Sequence, residues 1–465
     1  MVGEGSETTR TAVVYVAFSG GDYRLAHGAC HTAALLWGMA VDWAHAEWGQ
    51  GRNPGKYDVQ HFLMSLPRQE RPLHSHTTEI IAHDLYEAIR TSRTNRGNGM
   101  KVRAPWKHKN YRPLSFSKGF GWRATPLGKL NLSLGRGRPG ISLDMPKVLD
   151  SATGQLVPPE LWGEIQLCWE IDNRRWSLHI PYRTVRQASA GARVTAVDEG
   201  IINSMALATW ADDHTIEVTV VNGREGRAVK RWRNKSVGSL QKKIARTKDG
   251  SKRNRRLIAA KKKAQGKAKS QLKDFDHQVS CKAADHVISH NSSRLVYGDV
   301  RGIEQKTRQR RRKSRRQRQQ LSQWSRGRQE RYTNEKTGLT GEHIPEEGSS
   351  KTCPKCLMHN RPDGRDYRCT NPLCGFRCHR DAVGSVNILQ RAIHGEYTPI
   401  GAGTEVRVTY LRAVERWSTG QSKAHRKVQR RKARAQSSAA NQPSKPAEAK
   451  SSTSSSEPGP LAAVA

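Results

Sequence analysis

The sequence predicts a multidomain α/β protein that carries a small metal-binding module towards its C-terminal end. Residues 101–190 contain short β-like runs separated by Gly and Pro, a pattern typical of a small barrel or sandwich. Residues 193–222 are predicted to form three successive strands, and a long basic helical stretch follows them. Two close pairs of cysteines lie after residue 350. The 465 residues leave room for about two to four domains.

The N-terminal part, residues 1–190, is predicted to be a small β-barrel with inserted helices. Residues 11–18 (TAVVYVAF) alternate like a strand, and helices are predicted over 27–48 and 76–92. The basic aromatic segment that starts at Ala104 (APWKHKNYRP) suits two interpretations. Its rings stack on nucleic-acid bases while its cations contact phosphates, or it is an ordinary surface loop anchored by a buried Trp.

The charge of the chain points to a polyanionic partner. Lysine and arginine number 81 against 41 aspartate and glutamate, and the formal net charge is +40 at pH 7. Nucleic acid is the natural counterweight to such an excess. No membrane association is expected, because no apolar run reaches the roughly 18 to 20 residues of a spanning helix and the N-terminus lacks a signal-peptide layout. Cys30, Cys168 and Cys281 are far apart, which predicts reduced thiols and a cytoplasmic protein.

Four further cysteines predict a structural zinc site. They are Cys353 and Cys356, spaced C-x2-C, and Cys369 and Cys374, spaced C-x4-C. Two thiolate pairs on short turns supply the tetrahedral ligand set of a zinc ribbon, predicted over 349–378. The alternative is a set of unrelated buried thiols, but 5 of the chain's 8 cysteines lie within 26 residues. The fifth of these, Cys378, is expected to be a small buried hydrophobe rather than a ligand.

The residues between 191 and 348 are predicted to form most of a second domain. A first strand ends at Asp198, and two more strands complete an antiparallel meander. A basic helical hairpin is predicted at 225–290, with a break at Asp249-Gly250. The length and periodicity of this charge run favour a hairpin laid along nucleic acid over a merely solvated surface.

The remaining elements complete this organisation. A short apolar strand in SRLVYGDVRGI is predicted to end at Asp299, and a helix is predicted over 319–336. After the zinc ribbon, residues 379–395 return to the second domain. Residues 396–465 are predicted to be a C-terminal extension with a disordered basic tail.

Two aspartates of the second domain are candidates for metal-dependent catalysis. Asp198 lies at the end of a strand and Asp381 at the start of a helix. Phosphodiester hydrolysis of the RNase H type needs carboxylates from distant parts of the chain, which hold two metal ions roughly 4 Å apart. Taken singly, Asp198 also suits a turn and Asp381 also suits a helix N-cap.

The motifs of the second domain, taken in order, resemble those of a known family. VDEGIINSMALA, LVYGDVRGI and the run from TCPKC to CHRDAVGSVNIL are similar to the split RuvC-like domain of transposon-encoded TnpB proteins and compact type V CRISPR effectors. The resemblance covers 193–390 and is loose over 11–190, which in the family form the lobe that recognises guide RNA and target DNA. It implies an RNase H-like (RuvC) domain with an inserted zinc ribbon.

The same resemblance implies an activity, cofactors and partners. The protein would bind a guide RNA and a target DNA, as a monomer or a homodimer on the RNA, and base pairing would select the target. Catalysis would use Mg²⁺, as a pair of ions held by Asp198, Asp381 and a third carboxylate. The zinc ribbon would hold Zn²⁺ in a structural role.

The third carboxylate is where the sequence departs from the family. The middle strand usually ends in Glu followed by Asp, and here that place is occupied by Gly298-Asp299. Three interpretations follow. Asp299 substitutes, although adjacent strand residues point to opposite faces. A carboxylate of the following helix substitutes, with Glu335 preferred because it shares a helical face with Trp324 and Glu330 as the weaker alternative. Otherwise the site does not cut.

Three function classes therefore remain open at this point: an RNA-guided nuclease, a guide-directed DNA-binding repressor, and an unguided nucleic-acid-binding zinc-ribbon protein. All three need phosphate contacts. The basic run at 306–318 supplies candidates, which are Arg310, Arg311, Arg312, Lys313, Arg315 and Arg316.

Overall fold

The N-terminal half places three helices between two strands of one sheet. A computed structural model describes residues 6–150, 154–186, 191–303, 314–362 and 364–414. The elements of this half are β1 (Ser6–Val16), α1 (Gly20–Gly49), α2 (Lys56–Ser65), α3 (Ser75–Gly97), β2 (Leu114–Phe116), β3 (Trp122–Ala124), β4 (Lys129–Leu132), β5 (Ile141–Asp144), β6 (Ile165–Glu170) and β7 (Arg175–Arg186). The strand and both helices that the sequence predicts are present, and α2 is an additional helix.

The strands of this half form two antiparallel sheets. One has the order β1-β7-β6-β2 and the other the order β3-β4-β5. Within the described residues no ladder joins the edge strands β1 and β2, so this sheet is open, and the small barrel or sandwich that the strand pattern predicts is represented by two separate sheets. A single apolar core holds the sheets and helices together. On α1 it is built from small residues such as Ala26, Ala33 and Ala40, which let the sheets approach the helix closely.

The C-terminal half is built on a six-stranded mixed sheet. Its elements are β8 (Arg193–Glu199), β9 (Asn203–Trp210), β10 (Thr215–Asn222), α4 (Arg224–Ile244), α5 (Lys252–Ser289), β11 (Ser292–Gly298), α6 (Arg315–Ser322), α7 (Arg326–Thr337), β12 (Gly341–Ile344), β13 (Asp366–Arg368), β14 (Arg377–His379), α8 (Arg380–His394) and β15 (Glu405–Arg412). The sheet has the order β12-β11-β8-β9-β10-β15. The predicted meander β8-β9-β10 is confirmed, and β11 lies parallel to β8.

Helices cover both faces of this sheet. Because side chains alternate along a strand, Ala196 and Val296 face α8, where they pack with Val386. On the opposite face, His286 of α5 contacts the hydroxyls of Thr209 and Thr219, at 3.1 and 2.9 Å. The carboxyl ends of β8 and β11 and the start of α8 therefore meet at one edge, which is where the candidate site lies.

The predicted basic helical hairpin is confirmed as α4 and α5. Gly250 in the connection has a φ of 71°, which a residue with a side chain rarely adopts. The helix predicted over 319–336 is instead two helices, α6 and α7, separated by three residues. The buried carboxylate of Asp276 on α5 fixes the start of α7, because it accepts hydrogen bonds from Ser325 and Gln329, at 2.8 and 2.7 Å, and from Arg328.

Two features concern the end of the chain. Strand β15 lies parallel to β10 at the edge of the sheet, although the sequence places residues 405–412 in the C-terminal extension. The predicted basic tail at 415–465 is outside the described residues. Among the helices that the structure describes, none is both long and apolar enough to cross a membrane.

Candidate active site

The four paired cysteines converge on one point. Their Sγ atoms all lie within 4.8 Å of one another, with 3.7 Å between Cys353 and Cys374 and 3.5 Å between Cys356 and Cys369. Four thiols in such a group are the donor set of a structural zinc site. Cys378 is not part of this group. It pairs with Tyr367 across β13 and β14 and packs against the core, as the sequence predicts.

Buried hydrogen bonds hold the loops that carry these cysteines. Asn360 donates from Nδ2 to the hydroxyl of Tyr367 at 2.6 Å and accepts at Oδ1 from the backbone N–H of Thr370 at 2.8 Å. Asn387 of α8 donates to the carbonyls of Ser349 and Thr352, at 2.6 and 2.8 Å. The cysteine module is therefore fixed both internally and to the helix that follows it.

A cleft of about 570 Å³ opens at the edge where β8 and α8 meet. Its lining includes Asp198, Glu346 and Asp381, which come from β8, from the segment after β12 and from α8. The structure thus brings the two predicted aspartates into one cleft, although they are separated by 183 positions in sequence. A third carboxylate, which the sequence analysis missed, lies with them.

Asp198 is held close to α8. A Cβ atom at position 384 would overlap Oδ2 of Asp198, so Gly384 is the residue that lets the helix approach the strand end. Burial, together with the negative charges of Glu346 and Asp381, raises the pKa of the Asp198 carboxyl well above its usual value. Carboxylates gathered in this way need a cation or protons to offset their repulsion.

Glu346 occupies the space that a side chain at position 298 would fill. A Cβ added to Gly298 would overlap Oε2 of Glu346 and lie 2.8 Å from Cδ1 of Ile388. Strand β12 runs parallel to β11, with Ile344 beside Gly298, so Glu346 follows the neighbouring strand at the same edge. Its Oε2 is buried without a hydrogen-bond partner, and burial raises the pKa of the Glu346 carboxyl to about 7.

Asp381 is bound from two sides. Arg365, in the cysteine module, donates from Nη1 to both carboxylate oxygens, at 2.6 and 2.5 Å. Asn203 at the start of β9 donates to Oδ2 at 2.8 Å. The backbone N–H of Asp381 donates to Nδ1 of His379 at 3.2 Å, so His379 rather than Asp381 caps α8. The aspartate side chain remains directed at the cleft.

The preferred third carboxylate lies outside the cleft in the structure. The side chain of Glu335 is 58% exposed and pairs with Arg331 at 3.4 Å, and it does not line the cleft. The prediction rested on one continuous helix from Trp324 to Glu335. Because Trp324 lies in the break between α6 and α7, the two residues do not share a helical face.

The two alternative carboxylates also lie outside the lining of the cleft. Glu330 is buried on α7, where it pairs with Arg326 and His343, at 3.5 and 3.3 Å. Asp299 is bound by Arg301 through Nε and Nη2, both at 2.8 Å, and this hydrogen bonding lowers the pKa of Asp299 to about 2. Both carboxylates are therefore committed to partners of their own.

Most of the predicted phosphate contacts are outside the described residues. These are Arg310, Arg311, Arg312 and Lys313. Arg315 is the first residue of α6, and Arg316 follows it as an exposed side chain. Their role in nucleic-acid binding stays a prediction.

Sequence reasoning missed Glu346 and Arg365 for different reasons. Glu346 follows a four-residue strand, GEHI, and this is the same strand-then-acid arrangement that marks Asp198. That short strand is a weak signal, and its pairing with β11 is what brings Glu346 to the cleft. Arg365 has no such signal, because the turn at Gly364, with a φ of 73°, carries it towards α8 only in the folded ribbon.

Comparison with known proteins supports the motif-based resemblance. Residues 328–388, which run from α7 through the cysteine module into α8, match the family model described as Cas12f1-like, TNB domain. No curated protein matches the chain. The family match covers the cysteines, Glu346 and Asp381, and it ends before β15.

Solved structures extend the similarity to the fold. The chain is similar to the Cas12f1–sgRNA–target DNA complex, with a TM-score of 0.51 and 12% identity over 80% of this chain and 83% of that chain. It is also similar to the mini-RNA-guided endonuclease CRISPR-Cas_phi3, with a TM-score of 0.43 and 10% identity over 86% and 94% of the two chains. The family match confirms the resemblance to compact type V CRISPR effectors and TnpB-like nucleases, and the similarity to the Cas12f1 structure shows a multidomain α/β fold like that of Cas12f1.

Proposed function

We propose that this protein is an RNA-guided DNA endonuclease that cuts with Asp198, Glu346 and Asp381 as its metal-binding carboxylates. The observation that carries the proposal is the position of Glu346, which fills the space left by Gly298 beside the two aspartates. The departure from the family pattern at position 298 is then a relocation of the carboxylate. It does not indicate a loss of the site.

The order of the strands supports this assignment. Three antiparallel strands are followed by two strands parallel to the first, and this mixed sheet carries the carboxylates at one edge. Such an arrangement suits the RNase H-like (RuvC) domain that the motifs imply. The similarity to a Cas12f1 structure with sgRNA and target DNA supports a guide RNA and a target DNA as partners here.

The residues of the cleft fit divalent cations. Asp198, Glu346 and Asp381 offer hard oxygen donors, which Mg²⁺ prefers, and one of these oxygens is buried without a partner. When bound, Mg²⁺ supplies an activated water and stabilises the leaving oxygen of the phosphodiester. The four cysteines of the ribbon would hold Zn²⁺ in a structural role, which fixes the start of α8 and so the position of Asp381.

Arg365 has a positioning role in this proposal. In the structure it neutralises Asp381 with two charge-assisted hydrogen bonds. Asp381 would also hold a divalent cation, and the guanidinium of Arg365, which lines the cleft, would then face an entering phosphate. Arg365 therefore holds Asp381 in place before metal and substrate arrive and contributes positive charge to the cleft afterwards.

The test is a cleavage assay with matched variants. Purified protein with its co-purified RNA is incubated with matched duplex DNA and Mg²⁺. We expect cutting by the wild type, and a loss of at least about 100-fold in the single-turnover rate for Asp198→Ala and Glu346→Gln. Glu335→Gln is the control and keeps the wild-type rate, since its carboxylate is exposed on α7.

The same assay separates the competing functions. Wild-type protein that binds matched DNA with the RNA but leaves it intact is a guide-directed repressor, and the proposal is then wrong. DNA binding that does not depend on the RNA identifies an unguided binding protein. A Glu346→Gln variant that cuts at the wild-type rate removes Glu346 from the site and leaves the other two carboxylates in question.

A further inference from the structure

A second large cavity lies between the basic hairpin and α6, outside the carboxylate cleft. It has a volume of about 830 Å³. Its walls come from α4, α5, α6, the first turn of α7 and the turn between β6 and β7. Its lining includes Arg233, Asn234, Gly238, Lys269, Gln319 and Arg328. We call this cavity the amide groove.

The chemistry of the amide groove suits nucleotides. Two cations, from Arg233 and Lys269, face a single acidic residue, Asp172, while a third cation, Arg328, is ion-paired with Asp276. Four amide side chains line the rest, which are Asn234, Gln241, Gln265 and Gln319. Amide side chains present a donor and an acceptor in one plane and so read the edges of bases, whereas the cations match phosphates.

One pair of amides shows this hydrogen-bonding edge directly. Asn234 donates from Nδ2 to Oε1 of Gln323, and Gln323 donates from Nε2 back to Oδ1 of Asn234, both at 3.2 Å. The two amides thus form a reciprocal pair between α4 and the residue after α6. A base edge with one donor and one acceptor can replace either member of such a pair.

The position of α6 links the amide groove to the carboxylate cleft. Gln319 lines the groove, while Gln317, Gln320 and Leu321 line the cleft. The eight-residue helix α6 is thus a common wall of both cavities. Nucleotides held in the groove lie one helix width from the carboxylates.

We infer that the amide groove binds unpaired nucleotides of the DNA strand that is cut, next to the nucleotides in the cleft. This inference rests on the proposed function, because it assigns the path of the substrate. The groove lies between the hairpin and α6 and encloses about 830 Å³. Charge, amide lining and the shared wall together favour a single strand that continues into the cleft.

Gly238 offers a substitution that fills the groove and leaves the carboxylates untouched. A Cβ at this position has no heavy atom within 4 Å, so Gly238→Trp places its ring in open space. Gly28 on α1 is equally open and lines neither cavity, which makes Gly28→Trp the matched control. Both substitutions replace a glycine inside a helix, so neither is expected to weaken the helix.

The measurement is the affinity of the RNA-loaded protein for a fluorescein-labelled single-stranded oligodeoxynucleotide in Mg²⁺-free buffer. We expect Gly238→Trp to raise the Kd about tenfold, since stacking and edge contacts to the bases are lost. Gly28→Trp keeps the wild-type Kd, and both variants keep the wild-type affinity for the guide RNA. The inference is overturned if the Kd of Gly238→Trp for DNA is within twofold of the wild-type value. It is also overturned if Gly238→Trp loses affinity for the guide RNA and keeps its affinity for DNA.

A second variant keeps the inference testable if Gly238→Trp fails to fold. Lys269→Gln removes one exposed cation of the groove and should reduce the slope of log Kd against log salt by about 1. An unchanged slope contradicts a phosphate contact at this residue. The binding assay needs no cleavage. If the wild-type protein binds the strand but never cuts DNA, only the proposed function is refuted. If the wild type cuts DNA and Gly238→Trp binds the strand with the wild-type Kd, only the inference about the amide groove is refuted.

Discussion

At the scale of single residues, the close contact between Gly298 and the side chain of Glu346 determines which strand supplies a carboxylate to the cleft. Position 298 ends β11, and Glu346 follows the parallel neighbour β12, so their side chains compete for one volume. A carboxylate can enter the cleft from either strand but not from both. The absence of a side chain at 298 is therefore a requirement of the arrangement seen here.

This competition makes a prediction for Gly298→Ala. The added Cβ overlaps the Glu346 carboxylate, and the neighbouring Ile388 restricts any shift, so cutting should fall about 10- to 100-fold. Gly28→Ala, in open space, should have no effect on the rate. The double variant Gly298→Glu with Glu346→Ala moves the carboxylate back to β11 and should cut faster than Gly298→Ala. A double variant slower than the single one would show that the two positions are not interchangeable.

The sequence could predict some of these residues and not others. Local signals mark the predicted residues: Asp198 lies near a strand end, Asp381 lies at a helix start, and the paired cysteines have the spacing of metal ligands. Glu335 lies away from the cleft because a break of three residues at Trp324 changes the helical phase, and periodicity alone does not reveal such a break. Glu346 depends on strand pairing, a long-range property, and Arg365 depends on a turn in the ribbon.

At the scale of secondary-structure elements, α5 and the sheet are joined by a buried polar chain. His286 contacts Thr209 and Thr219, and Thr209 in turn lies 2.6 Å from the hydroxyl of Thr195. Burial lowers the pKa of His286 to about 3, and the nearby His290 adds to this effect. The imidazole is thus neutral in the folded protein at pH 7, with each ring nitrogen matched to a hydroxyl.

The buried imidazole predicts a stability change with pH. The pKa of His286 is lower in the folded state than the ordinary value of about 6.5, so protons bind preferentially to the unfolded chain. The neutral imidazole of His286 contributes fully to the free energy of unfolding above pH 6.5, and this contribution is lost as the pH falls towards 3. Between pH 6.5 and 5 we expect a loss of about 2 kcal/mol in the free energy of unfolding.

Denaturant unfolding of His286→Gln measures this contribution. The glutamine amide can donate to one hydroxyl and accept from the other but does not titrate, so the variant should lose less stability than the wild type over the same pH range. His214→Gln, at an exposed position, is the control and should follow the wild-type curve. If the free energy of unfolding falls equally with pH in the wild type and in His286→Gln, His286 is not the group that causes the pH dependence.

The elements themselves were largely predictable. The meander, the basic hairpin and the two longest N-terminal helices have strong periodicity and appear as expected. Strand β12 was not predicted because its four residues carry little local signal, and β15 was not predicted although Val406, Val408 and Tyr410 alternate with polar residues. Hydrogen bonding to β11 and β10 holds these two strands in the sheet, and this long-range pairing cannot be read from the local sequence.

At the scale of the whole molecule, the zinc ribbon connects the sheet to the helix that carries Asp381. Asn387 ties α8 to the entry of the ribbon, and Arg365 ties the ribbon to Asp381. Removal of Zn²⁺, by a zinc-selective chelator with Mg²⁺ in excess, should therefore lower the melting temperature and abolish cutting.

The cysteines allow a matched test of that prediction. Cys369→Ser should bind less zinc and cut more slowly than the wild type, whereas Cys281→Ser, at an exposed position outside the ribbon, should retain both zinc and activity. Zinc content by mass spectrometry and the cleavage rate are measured on the same samples. Full cutting by zinc-free protein would show that the ribbon does not position Asp381.

Strand β15 has a practical consequence for protein engineering. Its parallel pairing with β10 covers one edge of the sheet with residues such as Glu405 and Arg407, whose charges discourage pairing with another chain. A fusion partner inserted directly after α8 would separate β15 from β10 and expose an aggregation-prone edge of the sheet. A tethered deaminase or fluorescent reporter belongs beyond residue 414, where the strand stays in place.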